Sequence, residues 1–264
     1  MNAAEAATAQ AALWGRRPED WARLAEPQNV ALFERVLERL GIGDGTAFLD
    51  AGCGAGLLAR MAADRGARVA GYDATPELLA LARDRVPDGE FAVAPLEDAP
   101  FAGGAFDAVA GVNAFQFAAD PVVAVREAAR VTRAGGLVAA TTFAEPERCQ
   151  STALHLAMKA TVADDSENYA PYALSDPGGL EALLAAAGLE AVEAGEVALA
   201  WAHDSVEDTI LSVLCSAGGA RAMAAVGEDA VRAALAPAIA PFTRAGGSVS
   251  MDNVFRYAIG RVAA

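Results

Sequence analysis

The chain has 264 residues, 54% of them hydrophobic, and carries 20 basic against 35 acidic residues for a formal charge of -15. That length and apolar content allow one large α/β domain with an ample core and appended helices. The acidic balance excludes nucleic acid and anionic membrane as partners, because both demand basic surface, and favours a small neutral or cationic substrate. Cys53, Cys149 and Cys215 lie far apart with neither Cys-x-x-Cys nor metal-ligand spacing, so zinc and disulfides are not expected and the thiols read as reduced, in a cytoplasmic protein. Met1 to Leu13 contains no basic region and no apolar run reaches spanning length, which points away from secretion and membrane insertion.

In chain order, Ala3 to Ala12 has helical composition and reads as a frayed or mobile cap. Trp14 and Trp21 follow in one short segment; their rings either anchor this cap or close over a ligand. Residues 28–40 set Val30, Phe33, Val36, Leu37 and Leu40 on one helical face, with Gly41 as the stop.

The stretch from Thr46 to Gly56 organises the rest. Ala47, Phe48 and Leu49 read as a short buried strand that ends at Asp50 and breaks into a glycine-rich turn, after which Leu57 to Met61 has helical composition. Such a βα turn lets a ligand approach main-chain N–H groups and offers an anion the opening turn of a helix. The spacing Gly52-x-Gly54-x-Gly56 does not fit a dinucleotide fingerprint, whose third glycine would fall on Leu57. A carboxylate at Asp50 would repel a pyrophosphate, yet it suits the ammonium of a methionine moiety whose own carboxylate lies by the helix N-terminus.

Leu49-Asp50-Ala51-Gly52-Cys53-Gly54-Ala55-Gly56 resembles the first motif of the class I S-adenosylmethionine (SAM)-dependent methyltransferases, particularly the small-molecule branch similar to the ubiquinone/menaquinone methyltransferases. The resemblance extends over about residues 28–145. It implies SAM as the cofactor and a Rossmann-like, seven-stranded, mainly parallel sheet with the last strand antiparallel, helices on both faces, and N-terminal and inserted helical caps.

Arg68 to Asp73 reads as a second strand ending in an acid where this architecture puts the ribose-binding carboxylate, with Ala74 beside it. Thr75-Pro76 supplies a cap and first-turn proline for the next helix, which leaves Asp73 free for a ligand. After the third strand, Phe91 to Ala94, relatives carry an Asp for the adenine amino group where this chain has Pro95; the Leu96 N–H and Glu97 or Asp98 are the substitutes in reach. Phe106 to Val112 reads as the fourth strand. Asn113 at its end is expected beside the methionine moiety, and Phe115 and Gln116 toward the methyl group or acceptor. Relatives often have His at position 116; Gln cannot act as a base, so it either orients a ligand or is structural.

Asp120-Pro121 opens another helix, and Glu127 to Gly136 resembles the family's scaffold before the fifth strand, Leu137 to Phe143. Beyond Glu145 the resemblance thins. Ser151 to Ala163 reads as a helix with His155 at the edge of its apolar stripe, a candidate proton acceptor or a structural histidine, and residues 164–176, with Tyr169 and Tyr172, as an irregular lid loop. A helix from Gly179 to Ala187, a sixth strand from Leu189 to Trp201, a capping box at Asp204-Ser205-Val206-Glu207, helices over Val206 to Leu214 and Ala217 to Ala236, breaks at Pro237 and Pro241, and a seventh strand from Ser248 to Val262 complete the chain.

The expected organisation is a single domain over residues 1–264: a helical cap (1–41), a SAM-binding core (42–145), an inserted lid (146–178) and the C-terminal half of the sheet with added helices (179–264). The expected activity is methyl transfer from SAM to an O, N or C atom of a small metabolite, mainly by holding the acceptor close and excluding water. The alternatives are a non-methyl reaction on the same fold, such as cyclisation, and a non-catalytic SAM-binding module.

Overall fold

The computed structural model describes residues 2–162 and 171–264. The N-terminal stretch is a docked helix rather than a frayed one. In α1 (Ala3–Trp14) the Asn2 side chain accepts from the Glu5 N–H and the Glu5 carboxylate accepts from the Asn2 N–H, a reciprocal capping box that satisfies two otherwise orphan donors. One turn, α2 (Pro18–Asp20), a π-helical turn over Trp21–Ala25 and a 3-10 turn over Glu26–Asn29 lead into α3 (Val30–Arg39).

The core alternates β1 (Ala47–Ala51), α4 (Leu57–Ala63), β2 (Arg68–Asp73), α5 (Pro76–Arg85), β3 (Glu90–Val93), β4 (Phe106–Gly111), α6 (Pro121–Val131) and β5 (Thr132–Phe143). Then come α7 (Thr152–Thr161), α8 (Gly179–Ala186), β6 (Glu190–His203), α9 (Val206–Leu214), α10 (Ala217–Val226), α11 (Glu228–Ile239) and β7 (Val249–Arg261). The sheet order is β3-β2-β1-β4-β5-β7-β6, parallel from β3 through β5, with β7 antiparallel to both its neighbours. The expected Rossmann-like sheet is therefore present. Its strand order reverses between β1 and β4, the place where open α/β sheets bind ligands beyond the strand ends.

Strand periodicity decides which helices cover which face. In β1 every residue is buried: Ala47, Leu49 and Ala51 join α6 and α8 through Val125, Val131, Leu180 and Leu184, while Phe48 points the other way toward Leu32, Val36 and Leu58 of α3 and α4. A third cluster joins Leu154 and Met158 of α7 to Ile210, Leu214, Ala222, Val231 and Leu235 of the C-terminal helices, and to Val249 and Met251 of β7. These helices cap the site end of the sheet.

Several boundaries differ from the sequence reading. The helix expected over Ala217 to Ala236 is two, because Gly227 at φ 84° and ψ 158° occupies a region open essentially to glycine alone. Pro237 lies within α11 instead of ending it. The cap before α9 is Ser205, whose Oγ accepts from the Asp208 N–H at 3.0 Å, one residue later than the expected box. Among the described residues no single helix is long and apolar enough to cross a membrane; only the pair α9 and α10, bent by 88°, passes on length and composition together.

Candidate active site

The turn after β1 is tied to β2. Tyr72 C=O accepts from both Gly52 N–H (2.8 Å) and Cys53 N–H (3.1 Å). Gly52 has φ 74°, and a Cβ there would sit 2.7 Å from the Ala114 Cβ, so only glycine lets the β4 end approach. Gly56 serves the helices instead. At φ 81° its missing Cβ lets α4 close on Ala82 of α5, where a Cβ would meet the Ala82 backbone at 2.8 Å. It is a packing glycine and does not line the cavity, nor do the buried Cys53 and Asp50.

Asp73 is less free than its helix-cap neighbours suggested. Its Oδ2 accepts from Gly54 N–H at 3.0 Å and its Oδ1 from Thr75 N–H at 2.9 Å, since the Thr75 side chain makes no cap bond of its own. Each oxygen keeps room for a second donor. The helix N-terminus is likewise taken: Leu57 N–H donates to Glu26 Oε1 at 3.2 Å, and Glu26 is paired with Arg85. The expectation of an open helix end for a ligand carboxylate is corrected by this buried glutamate.

Three acids therefore crowd the turn. Burial, then the nearby Glu26 and Asp73 charges, push the Asp50 carboxyl well above the usual carboxylate range, and its Oδ2 is buried without a partner. Burial also raises Asp73 in spite of its backbone donors, and raises Glu26 in spite of Arg85. A cationic ligand relieves such a cluster and an anionic one strains it.

Two cavities meet here. The first is lined by Gly52, Gly54, Asp73, Ala74, Pro95, Leu96, Glu97 and Asn113, together with Ala6, Ala7 and Gln10 of α1. The second is lined by Gln116, Phe143, His155, Met158, Trp201, His203 and Ser212, among others. They share the wall formed by Trp14, Trp21, Asn29, Asn113 and Phe117. Trp14 packs edge-on against Trp21 and Phe117, with ring centroids 4.8 and 5.6 Å apart, so both tryptophans anchor the cap and wall the cavities. Asn113 adopts φ 51°, a left-handed conformation that asparagine tolerates.

Phe115 is a correction. It is 1% exposed and lies in the core over Gly111, whereas Phe117, two residues on in the same 3-10 turn, faces the cavities. The Gln116 amide lines the second cavity with both polar atoms buried and unpaired. His155 Nδ1 lies 3.1 Å from Tyr172 Oη, and Tyr172 Oη lies 2.7 Å from Thr152 Oγ1. Thr152 spends its one proton on Pro146 C=O (2.8 Å), so Tyr172 donates to Thr152 and accepts from His155 Nδ1–H, which leaves Nε2 as the lone-pair nitrogen. Burial lowers the His155 pKa to about 4, keeping the ring neutral. Tyr172 itself stands behind His155, and Tyr169 lies outside the described residues. The His203 pKa is also lowered by burial, and the ring bonds Ser212 Oγ at 3.2 Å and lines the cavity; Trp201 joins it with an unpaired indole N–H. Their place at the end of β6 was the only sequence signal. Among the described residues no group of His, Cys, Asp and Glu is placed to hold a metal.

This sheet order, with a glycine turn after β1 and an acid ending β2, is that of the class I SAM-dependent methyltransferase fold, whose methyltransferases use S-adenosyl-L-methionine as cofactor. Residues 49–140 match the family model described as "Methyltransferase domain". The malonyl-acyl-carrier-protein O-methyltransferase of Serratia marcescens is 37% identical over 118 residues, 43% of this chain and 46% of that one. The chain thus spans about half the length of the curated relatives it matches. Among solved structures, a SAM-dependent methyltransferase from Aquifex aeolicus superposes with TM-score 0.53 at 19% identity, covering 68% of this chain and 92% of that one. The 4+2-cyclase SpnF superposes with TM-score 0.56 at 20% identity, covering 88% and 80%. At these identities the likeness is one of fold, and the fold is shared by a cyclase.

Asp73 and the Gly52 cradle on the cavity wall, with the Asp50 and Glu26 carboxyls buried behind the turn, fit a ligand that carries ammonium and sulfonium charges and no phosphate. Asp73, Ala74, Leu96, Glu97 and Asn113 line the cavity that would hold it.

Proposed function

We propose that the chain transfers a methyl group from SAM to a small-molecule acceptor held in the second cavity, in a reducing, cytoplasmic compartment. The observation that carries this reading is the shared wall: a cofactor-type cavity and an aromatic chamber meet at Trp14, Trp21, Asn29, Asn113 and Phe117. When bound, SAM supplies an electrophilic methyl group on a sulfonium. The chain's own work is to enclose the acceptor, exclude water and orient it, which is where most of the rate gain in such a displacement arises.

Asp73 would accept from ribose hydroxyls while keeping its two backbone donors, and Leu96 and Glu97 would face the adenine. Gln116 offers an amide to the acceptor. His155 Nε2, neutral and with its tautomer set by Tyr172 and Thr152, would take a proton from an acceptor O–H and pass it to water. The Serratia marcescens relative is named as an O-methyltransferase of malonyl-acyl-carrier protein, which makes oxygen the favoured acceptor atom here.

Incubation with methyl-labelled SAM and candidate acceptors tests the reading. Labelled product with stoichiometric S-adenosylhomocysteine is expected, and His155→Ala should lower the rate on the order of 100-fold. Product without label, or turnover without demethylated cofactor, would move the chain to cyclase-type chemistry.

A further inference from the structure

The chamber beyond the shared wall is aromatic and polar but carries no ionised side chain. Its described lining holds Trp14, Trp21, Phe117, Phe143, Trp201 and the two histidines, with amides and serines, and none of it is Asp, Glu, Lys or Arg. Burial lowers both histidines, so each is a neutral ring at physiological pH. What the chamber does offer is unspent neutral hydrogen-bonding capacity. Trp201 Nε1 and Gln116 Nε2 are buried donors without partners, while Gln116 Oε1 and Asn29 Oδ1 are buried acceptors without partners.

We infer that the acceptor site takes an uncharged, hydroxyl-bearing ring and rejects carboxylates and ammonium ions; the inference rests on the methyltransferase reading of the same site. Among the described lining residues, a carboxylate stripped of water here would meet no guanidinium or ammonium, and an ammonium ion would meet no carboxylate. Desolvating either costs several kcal/mol that neutral partners repay only in part. A phenol-like hydroxyl can give its proton to a neutral acceptor, His155 Nε2 or Gln116 Oε1, and receive one from an indole N–H, at little desolvation cost. The cavity, about 120 Å³, is comparable with the roughly 150 Å³ dry cavity that admits benzene, so it suits a single ring.

The test uses the full chain and three single-ring probes of one shape: p-cresol, p-toluate and 4-methylbenzylammonium. Binding is followed by quenching of tryptophan fluorescence at about pH 7.5, with and without saturating S-adenosylhomocysteine. p-Cresol should bind at least about ten-fold tighter than either ion. Either ion binding as tightly as p-cresol, or p-cresol failing to bind, overturns the inference. Gln116→Lys places an ammonium in the wall and should raise p-toluate affinity about ten-fold over the parent; a folded variant with no gain shows that the probes bind elsewhere and also overturns it, and if this variant does not fold the parent titration decides. Failure of S-adenosylhomocysteine to bind would fall on the methyltransferase reading alone, because the charge preference is measured in its absence as well.

Discussion

Thr141 holds Asn113 at two points: its Oγ1 accepts the Asn113 N–H at 2.9 Å and donates to Asn113 Oδ1 at 3.1 Å. Asn113 carries the positive φ that turns the chain just past the end of β4 into the wall between the cavities, so a buried threonine on β5 fixes a left-handed residue beside the neighbouring strand's end. Thr141→Val removes both bonds and leaves the asparagine unpaired. It should cost about 1–3 kcal/mol in urea unfolding and weaken S-adenosylhomocysteine binding. Parent stability and affinity in that variant would show that the clamp does not set the wall.

How much of this was legible in the sequence follows from the range of the forces involved. The βα turn, Asp73 and the cap of α6 are written in local chemistry, glycines where φ must be positive and acids or prolines at helix starts, and they appear where the sequence placed them. The Glu26 bond to the N-terminus of α4 joins residues far apart in sequence, so no local pattern announces it. That Phe117 and not Phe115 faces the cavities depends on which way a three-residue 3-10 turn points, which periodicity cannot resolve. The second cavity is assembled from α7, β6 and α9, beyond the stretch with family resemblance, and only packing brings His203 and Trp201 to it.

His155 should be a neutral Nδ1–H tautomer. With only two histidines in the chain, nitrogen NMR of labelled protein can read each ring. The expected result is no protonation of His155 above about pH 5, and a mixed tautomer in Tyr172→Phe. An Nε2–H tautomer in the parent would reverse the proton route. Because the folded value is depressed to about 4 from an unfolded value of about 6.5, His155 contributes its stability in full above about pH 6.5 and loses it as pH falls through about 4.

Asp50 behaves in the opposite sense. Its folded pKa is raised, so its contribution is present below the ordinary carboxylate value and is lost as pH rises through the folded one. Asp50→Asn should therefore raise the melting temperature of the ligand-free protein at about pH 8 while weakening S-adenosylhomocysteine binding. A lower melting temperature with unchanged affinity would remove Asp50 from the cofactor site.

Phe115 and Phe117 should separate cleanly. Phe115→Ala empties a core position and should cost about 3–5 kcal/mol in urea unfolding. Phe117→Ala opens the shared wall, so it should leave stability nearly intact and lower cofactor affinity and turnover. Equal stability losses in the two variants would contradict the assignment.

The central claim is that the turn after β1 and the acid ending β2 hold a SAM-type cofactor. Calorimetric titration of S-adenosylhomocysteine into the parent and Asp73→Ala, with urea unfolding of both to separate lost ligand bonds from a loosened turn, tests it most directly. The account predicts low-micromolar binding to the parent, no heat with NAD, and a loss of about 1.5–3 kcal/mol in the variant. Heat with NAD and none with S-adenosylhomocysteine, or unchanged affinity in Asp73→Ala, would contradict it.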